Sequence, residues 1–300
     1  MLEKWEFPRT MCGVAMVTAA HQAGQGRVGY VVFKALRQII QENWNMRSQM
    51  WHLAVVDLQK SVRGAVLGWF WLFVRPITYI AVFWFALELG LRASETIGDT
   101  PYLFWLSVGI IPWLFFSRML TGGANVYSTY SYLVNRVQFP LSVISTFYAL
   151  GNFIIFMITF IVMIIVALIL GVSVTVYWLQ LPLLILILFI FSVLWSIMTA
   201  PLAALSKDFR ELIKALGMPT FWLSGVIFNV ENIGIPGSVE ILHLNPMAFF
   251  ATSFRAALCN NYWIWENPKA CLPFVAVFLI VFLLALRNYS RLRRVVPDVV

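Results

Sequence analysis

The feature that most limits this chain is a series of long runs almost free of charge. Six of them stand out, at approximately 65–90, 102–121, 143–170, 179–204, 212–230 and 270–287. Runs of about 18 or more apolar residues match the length of a bilayer-spanning helix. In lipid every backbone N–H and C=O must be bonded within the chain, so a lone run of this kind folds as a helix. Composition agrees. Apolar residues make up 61% of the chain and charged residues only 11%, against about 25% charged in an ordinary soluble domain. The expectation is an all-α integral membrane protein with six transmembrane helices. The fifth run is interrupted by Gly217, Pro219 and Gly225.

Lys and Arg placement sets the expected orientation. With the N-terminus inside, seventeen of the 21 bases fall on inside segments, only Arg92, Arg255 and Lys269 fall outside, and Arg75 lies within the first span. Both termini are therefore expected in the cytoplasm. The first ten residues mix acids with bases, which does not match a cleavable signal. The net charge of +8 is spread along every inside edge. That pattern reads as an orientation signal facing anionic lipid rather than a nucleic-acid surface. Cys259 and Cys271 both fall outside. They are either two small apolar residues near a helix end or a disulfide pair.

Residues 1–29 read as a cytoplasmic lead and 288–300 as a cytoplasmic tail, flanking a transmembrane domain at 65–287. Between lead and domain, residues 30–64 mix apolar side chains with Lys34, Arg37, Arg47, Asp57, Lys60 and Arg63 and carry Trp44 and Trp51. A basic amphipathic segment with tryptophans is suited to the head-group level, so an interfacial helix is expected. It serves either as an anchor or as a docking surface. Residues 231–269 form a long outer connection too apolar to be solvated. Asn245 followed by Pro246 predicts a helix cap and first position. With the glycines of the fifth run, this predicts re-entrant helices between helices 5 and 6, with a short cap helix on the outer face as the alternative.

Enzyme chemistry finds little support. The chain has no Gly-Lys pair and hence no phosphate-binding GxxxxGK[ST] loop, and HExxH, CxxC and GxSxG are absent. His21, His52 and His243 are too scattered for a metal site. A membrane-embedded enzyme would need acids gathered at one face, such as Asp208 with Glu211 or Glu231 with Glu240. Lys207, Arg210 and Lys214 surround the first pair. Ion-driven transporters carry mid-membrane acids or histidines, and none occurs here. Any transport energy must come from elsewhere. Arg75, about ten residues into the first span and followed by Pro76, is expected to face the bundle interior or a subunit interface. Aromatic residues are 16% of the chain. Most belong to lipid-facing belts. Trp69, Phe73, Arg75, Tyr79, Phe83, Trp113 and Phe116 are the candidates for a translocation path.

The order of elements resembles a known family. The stretch LAVVDLQKSVRGAVLGWFWLFVRPITY at 53–79 is similar to the entry motif of type-2 ABC transporter permeases that export polysaccharide. The matching positions are Asp57, Lys60, Arg63, Gly64, Leu67, Gly68, Trp71 and Pro76. YLFWLSVGIIPWLFFSRMLTGGANVYSTYSYLVNRVQFP at 102–140 is similar to the second span and the loop after it. LSKDFRELIKALGMPTFWLSGVIF and LNPMAFFATSFRAAL are similar to the fifth span and external gate helices. The likeness covers roughly 45–288, and the lead before it is longer than the family core requires. The resemblance implies a homodimer in the bacterial cytoplasmic membrane, with one cytoplasmic ATPase per subunit. ATP and magnesium would be held by that ATPase, and no cofactor by this chain. The substrate would be a lipid-linked glycan of O-antigen, teichoic-acid or capsule type. Tyr132, Asn135, Arg136, Gln138 and Phe139, with Asp57, Lys60 and Arg63, would form the ATPase-coupling interface. Asn245, Pro246, Phe249 and Phe250 would form an external gate. A drug-exporting relative and a membrane enzyme acting on polyprenyl-linked sugars remain as alternatives.

Overall fold

The structure is a computed structural model that describes residues 32–64, 68–86, 96–97, 100–135, 139–169, 171–233 and 237–299. Four of its helices are long and apolar enough to cross a membrane. They are α4 (Tyr102–Thr121), α7 (Leu141–Ile169), α8 (Leu181–Leu205, continuous with a 3₁₀ turn at Val176–Gln180) and α12 (Pro268–Leu292). Short helices surround them. Residues 32–45 form α1, followed by α2 (Arg47–Val62), α3 (Trp71–Trp84), α5 (Val126–Thr129), α6 (Ser131–Asn135), α9 (Lys207–Trp222), α10 (Ser238–Leu242) and α11 (Pro246–Arg255). A two-residue ladder pairs β1 (Thr96–Ile97) with β2 (Thr100–Pro101), antiparallel.

The runs expected at 65–90 and 212–230 compare with the structure in different ways. The first is helical from Gly68 to Ala86 among the described residues, with α3 as its α-helical part. The fifth begins earlier, at Lys207, because Ser206 caps it by accepting the Phe209 N–H at 3.2 Å. It then ends at Trp222, ahead of a turn in which Gly225 takes φ +65. A Cβ there would come within 2.2 Å of Val230 Cγ2, so glycine is needed for space as well as backbone freedom.

One end of the bundle is basic: α4 and α8 finish there, α9 begins there, and α12 ends there with Arg287, Arg291, Arg293 and Arg294. The most extensive packing joins α8 to α12, which run parallel. At the far end Gln180 holds both their starts, donating to the Tyr262 carbonyl at 3.0 Å and accepting from the Ile264 N–H at 3.1 Å. Near the basic end Asn288 donates to the Met198 carbonyl at 2.8 Å.

Lipid tails are as apolar as leucine, so close packing and interhelical hydrogen bonds must join these helices. Phe191, fully buried on α8, packs near Phe116 of α4, Phe250 of α11 and Phe274 of α12. Hydroxyls in the apolar helices bond back to their own turn, as Ser192 does to the Leu188 carbonyl at 2.8 Å. Ser196 instead crosses to the Gly123 carbonyl at 2.8 Å and ties α8 to the end of α4. Of the four long helices α4 is the most enclosed, with 78% of its apolar window buried against 28% for α7 and α12. It is the axis on which the candidate site is built.

Candidate functional site

At the basic end α2 lies along the start of α7 and meets α6. Tyr130 donates its hydroxyl to the Asp57 carboxylate, and the Lys60 ammonium sits 5.7 Å from the centre of the Tyr132 ring. Burial, then the hydrogen bond and charge of Asp57, push the Tyr130 phenol above its ordinary pKa. Tyr130 also packs edge-on to Phe147 of α7 at 4.9 Å. The Phe139 N–H donates to the Leu133 carbonyl at 3.1 Å and folds the chain back on α6. Thus Asp57, Lys60 and Tyr132 come together. Tyr132, Asn135 and Arg63 are exposed and Phe139 is half-buried. Arg136 and Gln138 lie outside the described residues. Beside this surface Arg210 of α9 donates to Ser128 at 3.1 Å and to the Ala203 carbonyl at 2.9 Å.

Along α4 an aromatic seam joins α3 to α9. Phe221 is its centre, with ring centroids 5.2 Å from Trp113, 5.4 Å from Phe83 and 6.3 Å from Tyr79. Tyr79 and Phe83 are themselves 5.0 Å apart. The seam borders an open cavity of about 380 Å³ lined by Tyr79, Trp113, Ser117, Arg118, Met218 and Phe221. Three of the candidate path residues, Tyr79, Phe83 and Trp113, therefore converge. Phe116 does not join them. It is 1% exposed and packs on Phe191 and Trp195. Trp69 is exposed at the start of the first helical run, and the side chains of Phe73 and Arg75 lie outside the described residues.

At the far end α11 is tied to α9 and α4. Asn245 caps α11 by accepting the Met247 N–H at 3.0 Å, with Pro246 in the first turn, as its sequence predicts. Its amide also donates to the Thr220 carbonyl of α9 at 2.8 Å. Phe249 stacks on Phe274 of α12 with centroids 3.8 Å apart, and Phe250 enters the core. The last residue of α11, Arg255, is 4% exposed. Its guanidinium donates to the carbonyls of Trp105, Gly225 and Val226 and lies 3.2 Å from the centre of the Trp105 indole. Gly109 makes room for it, since a Cβ there would meet Arg255 Nη2 at 2.6 Å. One guanidinium thus joins the first turn of α4 to the turn after α9. The chain from Lys207 to Val226 accordingly runs from the basic end to the far end.

Three of these groups go beyond the sequence reading. Arg255 counted there only as an outer base, although its place between Phe254 and Ala256 in an apolar stretch marks a buried charge. Phe221 and Tyr130 gave no distinguishing signal, because their partners lie on other helices. The acids an enzyme would need are dispersed. Asp208 is exposed, Glu211 pairs with Lys214 at 2.7 Å, and Glu240 pairs with Lys269 at 3.7 Å at the opposite end. Cys259 and Cys271 are free thiols.

The bundle is thus one of long apolar helices suited to a membrane, with short helices gathered at its basic end and the buried aromatic helix α11 packed on α4 at the other. Residues 48–259 match the ABC-2 type transporter family, and the chain belongs to it. Among its relatives is the O-antigen export system permease protein RfbA of Myxococcus xanthus, 25% identical over 244 residues, which covers 81% of this chain and 92% of the relative. An RfbA of the same description from Klebsiella pneumoniae is 22% identical over 79% of this chain and 90% of its own.

Proposed function

We propose that this protein is the membrane-spanning, non-catalytic subunit of an ATP-driven exporter. It moves a lipid-linked polysaccharide of O-antigen, teichoic-acid or capsule type across the bacterial cytoplasmic membrane. Two copies form the path, and each engages one cytoplasmic ATPase subunit that binds ATP and magnesium. The observation that carries this reading is the similarity to O-antigen export permeases over 92% and 90% of their lengths. The absence of acids and histidines at mid-membrane supports an external motor rather than an ion gradient.

Helical residues 68–86 and the chain from Lys207 to Val226 complete six crossings with the four long helices. The basic end is cytoplasmic, with both termini there. α1 and α2 lie in the interface, which suits the exposed Phe33, Ile40, Trp44 and Trp51. Asp57, Lys60, Arg63, Tyr132, Asn135, Arg136, Gln138 and Phe139 form the ATPase-coupling surface. There the links from Tyr130 to Asp57 and from Lys60 to Tyr132 carry movement of α6 into α2. The Tyr79–Phe83–Trp113–Phe221 seam offers ring faces over which a sugar polymer slides with low friction. Asn245, Pro246, Phe249 and Phe250 position the external gate helix.

The test is co-purification with the ATPase, followed by hydrolysis measured in reconstituted vesicles. Hydrolysis that responds to this subunit, and loss of surface glycan in a strain lacking it, are expected. Transport by the chain alone without nucleotide would overturn the reading. Arg136→Glu is expected to leave the protein inserted while weakening ATPase docking or export. Normal assembly and normal surface glycan in that variant would remove the coupling role.

A further inference from the structure

At the basic end a cavity of about 660 Å³ opens between α1, the end of α6, the start of α7 and the chain that follows α12. Two bases, Arg293 and Arg294, and two acids, Glu42 and Asp298, line it. Among the described residues the ion pairs are Lys214–Glu211 and Lys269–Glu240, so none of these four is paired there. Glu42 is held by neutral donors instead. Ser142 and Tyr289 donate hydroxyls to it, and Gln38 donates its amide at 2.6 Å. The ring of the same Tyr289 lies 5.9 Å from the Arg293 guanidinium, so one tyrosine holds both a base and an acid at the cavity wall.

Charges of both signs that line one cavity without meeting are complementary to a ligand that itself carries both signs. The position narrows the ligand further. The apolar run of α12 gives way to Arg287, Arg291, Arg293 and Arg294, and bases gathered at the end of a span mark the head-group level. Val134 and Leu141 supply apolar wall next to the charges.

We propose that this cavity binds the head group of a phospholipid bearing a phosphate and a primary ammonium, of the phosphatidylethanolamine class. The phosphate lies on Arg293 and Arg294, whose planar forks match its oxygens in pairs. The ammonium lies between Glu42 and Asp298. It has three N–H donors to share between two carboxylates, whereas a choline head group has none. The site needs no assumption about what the protein transports, since lipid retention is measured without transport.

The test uses the full-length protein, stripped of lipid in detergent and offered phosphatidylethanolamine, phosphatidylcholine or phosphatidylglycerol. Retention is read by native mass spectrometry. Phosphatidylethanolamine is expected to be retained at least about tenfold over the other two, the scale of one charge-assisted hydrogen bond. Arg293→Ala with Arg294→Ala is expected to lower retention of all three lipids at least about tenfold, and Asp298→Asn to bring phosphatidylethanolamine down towards phosphatidylcholine. Arg287→Ala with Arg291→Ala, outside the cavity, is expected to leave retention intact. If the first double variant fails to fold, Arg294→Gln on the exposed base carries the same test. Equal retention of all three lipids overturns the proposal, and so does phosphatidylethanolamine retention that is unchanged by loss of Arg293 and Arg294. Retention of phosphatidylglycerol equal to phosphatidylethanolamine overturns the ammonium contact. Unchanged lipid retention with loss of ATPase co-purification in the arginine variants would make the cavity a protein-docking surface and overturn it as well.

Discussion

The two ends of the bundle are fastened in different ways. At the far end a single guanidinium, 4% exposed, joins three backbone carbonyls from α4 and from the turn after α9. Such a junction is desolvated, and removing its donor leaves acceptors with no replacement. At the basic end the fastenings run from side chain to side chain, and most of the groups in them are partly or fully exposed. Tyr130 meets Asp57, Lys60 rests on Tyr132, and Arg210 reaches Ser128. Apart from the bond of the buried Tyr130, contacts of that kind are individually weak and exchange with water. The difference teaches where this molecule is built to hold and where it is built to shift, since local opening concentrates where contacts are exposed.

The largest effect is expected from Arg255→Leu, which strands the Gly225 and Val226 carbonyls and leaves a space beside Trp105. A loss of about 2–5 kcal/mol is expected, read as a drop in melting temperature in detergent. A variant as stable as the parent would end the distinction between the two ends. Gly109→Ala should cost about 1–3 kcal/mol, because the guanidinium must move away from the new methyl. In the double variant with Arg255→Leu that penalty should shrink, since the two residues share one contact.

Tyr130→Phe removes a single hydrogen bond to a carboxylate and should cost at least about 1.5 kcal/mol. The same change should lower ATPase stimulation by more than its stability loss accounts for, a separation measured by hydrolysis and melting on one preparation. Combined with Gly109→Ala it should be additive, because the two ends share no partner. A large coupling energy would show that the ends communicate through the static fold. The smallest stability effect belongs to Tyr132→Ala, within about 0.5 kcal/mol for an exposed residue. Yet it should still reduce ATPase co-purification, and full retention of the ATPase would confine the coupling surface to the other residues.

Legibility differed along the chain for a physical reason. The long runs that became α4, α7, α8 and α12 were plain, because lipid imposes one backbone solution on an apolar run of that length. The cap at Asn245 was equally plain, being a local bond to Met247. The apolar run at 212–230 marks only part of α9, since Ser206 caps a helix that begins five residues earlier, among charges the apolar count ignores. Aromatic placement was the least legible. Trp113 and Phe116 are neighbours on α4, but one faces Phe221 and the other Phe191.

By itself the sequence determined that this is a helical membrane protein, where its long helices run and where its bases gather. Those properties follow from composition and local hydrogen bonding, which act over a few residues at a time. Only the tertiary structure decided that Arg255 is a buried junction, that Phe221 organises the seam, and that Glu42 and Arg293 face one cavity across Tyr289. Each of these depends on residues tens to hundreds of positions apart, and their meeting is set by how the helices pack.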